Sequence, residues 1–126
     1  MIKVLVAEDD RFLSKAYEVK LKKEGFEPIL VANGEEAIAK AKSEKPDIIL
    51  LDLVMPKIDG FEALAELKQN SETKSIPVII LSNLGQEDDI KKGKELGAED
   101  YLVKSNIAIN SVVAKIREVL DRQKNK

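Results

Sequence analysis

"DIILLDLVMPKIDG", residues 47–60, is the stretch that decides the fold. Ile48 to Leu51 are all branched and apolar, with no alternation of polar and apolar positions, as in a strand covered on both faces. Asp52 follows at once. A carboxylate at the end of a buried strand costs desolvation energy unless something pairs with it, so its presence asks for a partner.

Four similar runs lie outward from this one: Ile2 to Ala7, Pro28 to Val31, Val78 to Leu81 and Tyr101 to Val103. Helical patterns separate them. Arg11 to Glu24 carries Leu13, Tyr17 and Leu21 at spacings of four and stops at Gly25. Glu35 to Ser43 carries Ala37, Ile38 and Ala41 ahead of Pro46. Phe61 to Gln69 carries Phe61, Leu64, Ala65 and Lys68, with Leu67 beside the stripe. Glu87 to Leu96 is the weakest pattern, with Ile90, Gly93 and Leu96. Asn110 to Arg122 is the clearest, since Val112, Val113, Ile116, Val119 and Leu120 form one face. Asn33-Gly34 is a hairpin dipeptide, but it precedes "EEAIAKA", so Asn33 reads as a helix N-cap.

Strand followed by helix, repeated at about 20 to 30 residues, indicates α/β units with right-handed crossovers. The expected fold is a doubly wound five-stranded parallel sheet of order 2-1-3-4-5, a flavodoxin-like three-layer sandwich. Residues 1–122 should form one domain, with 123–126 as a short C-terminal tail.

Composition narrows the chemistry. The chain of 126 residues is 44% hydrophobic and 35% charged, with a net charge of -2, no cysteine and no histidine. Disulfides, thiolate nucleophiles, imidazole catalysis and Cys- or His-type zinc sites are excluded. The interspersed charge gives no reason to expect nucleic acid or membrane as a partner. The apolar start is too short for a signal peptide core or a membrane span, so a cytoplasmic protein is expected.

In such a sheet ligands bind beyond the carboxyl ends of the strands. Glu8, Asp9 and Asp10 follow the first strand, Asp52 the third, Ser82 and Asn83 the fourth, and Lys104 and Ser105 the fifth. Each has an ordinary reading when taken alone. Asp10 is an N-cap, Glu8 and Asp9 suit the dipole of a helix start, Ser82 bonds local backbone, and Lys104 reaches water. Together they change meaning, because crowded carboxylates repel one another unless a cation sits among them. Oxygen ligands of this kind suit Mg²⁺, a lysine and a hydroxyl opposite suit a phosphoryl group, and Asp52 between them can accept that group as an acyl phosphate.

The segments "KVLVAEDD", "LLDLVMPKIDGFEAL", "IPVIILSN" and "GAEDYLVKS" together resemble the receiver domain of bacterial two-component response regulators over essentially the whole chain. The resemblance implies that Asp52 is the phosphoacceptor and that Mg²⁺ is held by Asp9, Asp52, the backbone carbonyl of Val54 and, often through water, Glu8. It implies Lys104 and Ser82 as the groups that meet the phosphoryl, and Ser82 with Tyr101 as the switch. The implied partners are a histidine kinase or phosphotransfer protein as donor and a downstream protein target that meets the fourth helix, fifth strand and fifth helix. No enzymatic turnover is expected, and no nucleic acid contact through this chain. Two positions depart from the family pattern: Ser105 stands where proline usually follows the lysine, and Asn83 stands where alanine or glycine is common. Rival readings are a phosphatase of the haloacid dehalogenase type, disfavoured by Val54 where that family has a second acid, a flavodoxin-like cofactor binder, and a pseudo-receiver that is not phosphorylated.

Overall fold

The computed structural model describes residues 1–124, and Asn125 and Lys126, the last half of the expected tail, lie outside the described residues. Five strands run β1 (Lys3–Ala7), β2 (Glu27–Val31), β3 (Ile48–Leu51), β4 (Val78–Ser82) and β5 (Asp100–Val103). They pair in parallel in the order β2-β1-β3-β4-β5, the order expected from the sequence. The helices are α1 (Arg11–Lys23), α2 (Gly34–Glu44), α3 (Gly60–Gln69), α4 (Glu87–Glu95) and α5 (Ile109–Lys124). The last helix thus continues through Lys124, past the sequence expectation of a stop at Arg122.

Alternation along the central strands divides the core into two layers. Val4, Val6, Ile48, Leu50, Ile79 and Leu81 point to the side packed by Tyr17 and Leu21 of α1 and by Val112 and Ile116 of α5. Leu5, Ile49, Leu51, Val78 and Ile80 point to the side packed by Ala37 of α2 and by Ala63, Leu64 and Leu67 of α3. Each fully buried Leu or Ile contributes about 1.5 to 3 kcal/mol relative to exposure. This is why runs such as "IILL" and "VIIL" occupy the sheet centre.

Local chemistry sets the helix ends. The Asp10 carboxylate accepts from the amides of Phe12 and Leu13. Asn33 accepts from Glu36 N at 2.9 Å, while the Glu36 carboxylate accepts from Ala32 N at 3.0 Å. Asn33 thus caps α2 while Glu36 reaches back to the amide before the cap, which resolves Asn33-Gly34 as a helix start. Asp59 caps α3 through Glu62 N. At its other end α2 closes on Lys45 in the left-handed region, φ 46°, just before Pro46.

One face differs from its sequence expectation. The buried stripe of α3 is Gly60, Ala63, Leu64 and Leu67, rotated one residue back from Phe61, Leu64, Ala65 and Lys68. Phe61 is only partly buried, and the Lys92 ammonium of α4 lies 4.4 Å from its ring centroid. α4 is held most lightly, with Gly93 as its one buried residue.

Candidate phosphoacceptor and metal site

Parallel pairing brings the carboxyl ends of β1 and β3 together: Ala7 lies opposite Leu51, and Asp52 N donates to Ala7 O at 3.1 Å. Glu8 is anchored likewise, its amide donating to Val31 O at 3.0 Å. The two acids therefore leave the sheet side by side, Glu8 at 5% and Asp52 at 6% exposure. Asp9 stays exposed on the loop. One carboxylate oxygen from each of Glu8, Asp9 and Asp52 lies within 4.8 Å of the others.

The Lys104 ammonium enters from the end of β5. It bonds Asp52 Oδ2 at 2.9 Å and also the Glu8 carboxylate. Burial pushes the Glu8 carboxyl above its ordinary range, against the pull of Lys104 and of the Asp10 amide, and the neighbouring Asp52 charge adds to the rise. For Lys104 burial acts downward, but the bonds to Glu8 and Asp52 outweigh it and the ammonium is held above its usual value. One ammonium against three carboxylates leaves the pocket negative, and the donor set is oxygen only. Hard divalent cations suit such a set, so these residues fit a metal of the Mg²⁺ type.

Ser82 ends β4 fully buried, and its Oγ accepts from Leu84 N at 3.2 Å. The Tyr101 hydroxyl donates to Leu84 O. Burial also pushes the Tyr101 phenol up, while the Ser82 hydroxyl beside it acts the other way. Val54 lies on the loop after β3, its amide donating to Asp52 Oδ1 at 3.3 Å and its side chain 60% exposed. Lys104 opens a short 3-10 turn, Lys104–Asn106, and no cis peptide occurs among the described residues, so Lys104-Ser105 is trans.

Comparison with known proteins settles the family. The family model "Response regulator receiver domain" matches residues 4–117. This chain belongs to that family. Receivers are signalling modules of two-component systems that interact with histidine kinases and downstream effectors. Protein PilH of Pseudomonas aeruginosa is 39% identical over 82% of this chain and 86% of its own length. The alkaline phosphatase synthesis transcriptional regulatory protein PhoP of Bacillus subtilis is 36% identical over 95% of this chain but 49% of its own length, so this receiver spans about half of that relative. Among solved structures, the receiver domain of Francisella response regulator 1452 superposes with a TM-score of 0.89 at 30% identity, covering 97% of this chain and 98% of that one. The chemotaxis protein CheY4 of Vibrio cholerae gives 0.87 at 29% identity, covering 94% and 98%. No helix among the described residues is long and apolar enough to cross a membrane.

Sequence reasoning missed three features of this receiver's site. Lys104, read from the sequence as a group that meets a phosphoryl, is also paired with both Glu8 and Asp52 in this structure. Tyr17 of α1 is buried close enough that the charges of Lys104, Glu8 and Asp52 act on its phenol, which burial pushes up. Its spacing marked it only as core. Leu84, with nothing polar in its side chain, joins Ser82 to Tyr101 through its backbone.

Proposed function

We propose that this receiver takes a phosphoryl group from a phosphohistidine of a histidine kinase or phosphotransfer protein onto Asp52, and that Mg²⁺ held by Glu8, Asp9, Asp52 and the Val54 carbonyl assists. The observation that carries the reading is the buried Asp52 carboxylate set between two further acids and Lys104 at the carboxyl edge of the sheet. In the transfer an Asp52 oxygen forms the new O–P bond as the histidine N–P bond breaks, and the departing imidazole takes up a proton. Bound Mg²⁺ supplies positive charge to the phosphoryl oxygens. Lys104 offers its ammonium to one of those oxygens, and the Ser82 hydroxyl donates to another.

Ser82 is also where the signal starts. Its Oγ now holds Leu84 N, and Leu84 O holds the Tyr101 hydroxyl. Turning the hydroxyl to a phosphoryl group breaks the first of these bonds and frees the loop to move. Tyr101 packs against Gly93, where an added Cβ would come within 3.1 Å of its ring. Movement of the ring therefore reaches α4, and α4, β5 and α5 form the proposed surface for the downstream protein target.

The test is intact mass after incubation with acetyl phosphate. One added phosphoryl group is expected with Mg²⁺ present, none without it, and none in Asp52→Asn. No gain in the parent chain, from acetyl phosphate or from a kinase, would leave an interaction module that is not phosphorylated.

Phe12 bears on the donor. It is 91% exposed at the start of α1, two residues after the cap beside the acid pocket, and Val54 and Leu84 are exposed apolar side chains on the neighbouring loops. Exposed apolar side chains on the segments that follow Asp10, Asp52 and Ser82 fit a protein donor better than a small molecule. Phe12→Ser is expected to slow transfer from a histidine kinase at least about tenfold, a hot-spot-sized loss. It should leave acetyl phosphate uptake unchanged and stability within about 0.5 kcal/mol, as for an exposed side chain. Equal slowing with both donors would assign Phe12 to the fold and not to the donor.

A further inference from the structure

We propose that Tyr17 of α1 is a positioning residue for the phosphoryl step, its hydroxyl holding the Lys104 ammonium through a bridging water. The inference rests on the phosphoacceptor reading above and adds a group from a helix that supplies none of the acids. Tyr17 is 6% exposed and packs in the layer that holds Leu81 of β4 and Leu102 of β5. Those two leucines are register partners, one residue before Ser82 and two before Lys104. Helical side chains lean toward the N-terminus of their helix, and α1 begins at the Asp10 cap beside Glu8 and Asp9. The ring therefore rises from the core toward the carboxyl edge of the sheet, where the charges of Lys104, Glu8 and Asp52 reach its phenol.

A leucine would fill this layer without bringing a polar atom, whereas the phenol carries a hydroxyl to the edge. That hydroxyl has no hydrogen-bond partner among the described residues. Every fully enclosed side-chain nitrogen or oxygen among them does have one, so the Tyr17 hydroxyl meets water. Burial pushes the phenol up, which keeps it an uncharged group able to accept as well as donate at neutral pH. Lys104 has a matching vacancy. Its ammonium carries three N–H donors, and Glu8 and Asp52 take two of them. Its own segment fixes it weakly, since Lys104–Asn106 is a single 3-10 turn with no buried residue and the stem is four flexible carbons. A phosphoryl group on Asp52 changes the acceptor that Lys104 meets there. A hold from α1 that does not depend on the acids keeps the ammonium in place through the transfer, and a bridging water serves nearly as well as a direct bond.

The experiment compares the parent chain with Tyr17→Phe, which keeps the ring and removes the hydroxyl. In the metal-free chains the ¹⁵Nζ resonance of Lys104 is expected to differ between the two, while the melting temperature stays within about 3 °C. With saturating Mg²⁺ the maximal rate of phosphoryl uptake from acetyl phosphate should fall about tenfold in the variant, the low end for a lost hydrogen bond to a charged group. The Mg²⁺ concentration at half-saturation should not change. An uptake rate within about twofold of the parent, or an unchanged Lys104 resonance, would overturn the inference. So would slower uptake accompanied by weaker Mg²⁺ binding or a lower melting temperature, which assigns Tyr17 to the metal site or to the fold. Should Tyr17→Phe fail to fold, the parent decides: a nuclear Overhauser contact between the Lys104 methylene protons and the Tyr17 ring must be present, and its absence overturns the inference. No uptake by the parent would overturn the phosphoacceptor reading itself, a result distinct from equal rates in parent and variant.

Discussion

Gly60→Ala is expected to destabilise the receiver by about 3 kcal/mol or more, the upper part of the range for overpacking and beyond it where backbone blocks relaxation. A Cβ on Gly60 would stand 2.4 Å from Asp52 O and 2.5 Å from Leu53 Cα. Both are backbone atoms, so no rotamer change makes room. The approach is fixed by a bond as well, since Gly60 N donates to Leu53 O at 2.9 Å. Either α3 must lift from the sheet, separating Ala63, Leu64 and Leu67 from Leu51 and Leu53, or the chain after Asp52 must shift. The first choice costs core and the second displaces the acceptor. With a total stability of about 5 to 15 kcal/mol for a domain, the loss should lower the urea midpoint by about 1 to 3 M. The fraction that stays folded should also accept phosphoryl from acetyl phosphate more slowly. A midpoint within about 0.3 M of the parent would show that the β3 to α3 loop is softer than its bonds imply.

The same glycine explains where the sequence could be read and where it could not. Strand runs such as "IILL" and "VIIL" carry their burial in their composition, so element order and sheet class followed directly. Which face of α3 turns inward did not follow. The stripes through Phe61 and through Ala63 share Leu64 and each carries three or more apolar or small residues, and the choice falls to the contact that only Gly60 permits against Asp52 and Leu53. That contact is long-range and leaves no periodic trace. Gly34 is a parallel case. The dipeptide Asn33-Gly34 suggests a hairpin, whereas the asparagine caps α2 and the glycine makes room for Ile58, whose Cγ1 an added Cβ would meet at 2.6 Å. At the site, Glu8, Asp9, Asp52, Ser82 and Lys104 were visible as polar residues ending apolar runs. Their pairing was not, because the reach of Lys104 to Glu8 spans 96 residues of sequence and depends on β5 lying on the correct side of β4.

That pairing makes Lys104→Met a stability variant with an unusual pH dependence. Removing one partner of a buried ion pair costs about 3 to 5 kcal/mol, and the low end applies here because the pocket opens to water beside Asp9. Glu8 sets the sign. Its folded pKa is already raised by burial, and Lys104 is among the groups that hold it down, so the variant must raise it further. A carboxyl whose folded pKa lies above its unfolded value costs nothing below the unfolded value, about 4.3, and its cost grows as pH rises toward the folded value. The melting temperature of Lys104→Met should therefore lie close to the parent's near pH 4 and fall progressively below it toward pH 7. Saturating Mg²⁺ at pH 7 should recover part of the variant's deficit, since a divalent cation bound among these acids replaces the missing positive charge and a ligand of the folded state stabilises that state. A deficit independent of both pH and Mg²⁺ would mean that the lysine supports the fold through the packing of its stem, and that its charge is not what balances Glu8 and Asp52.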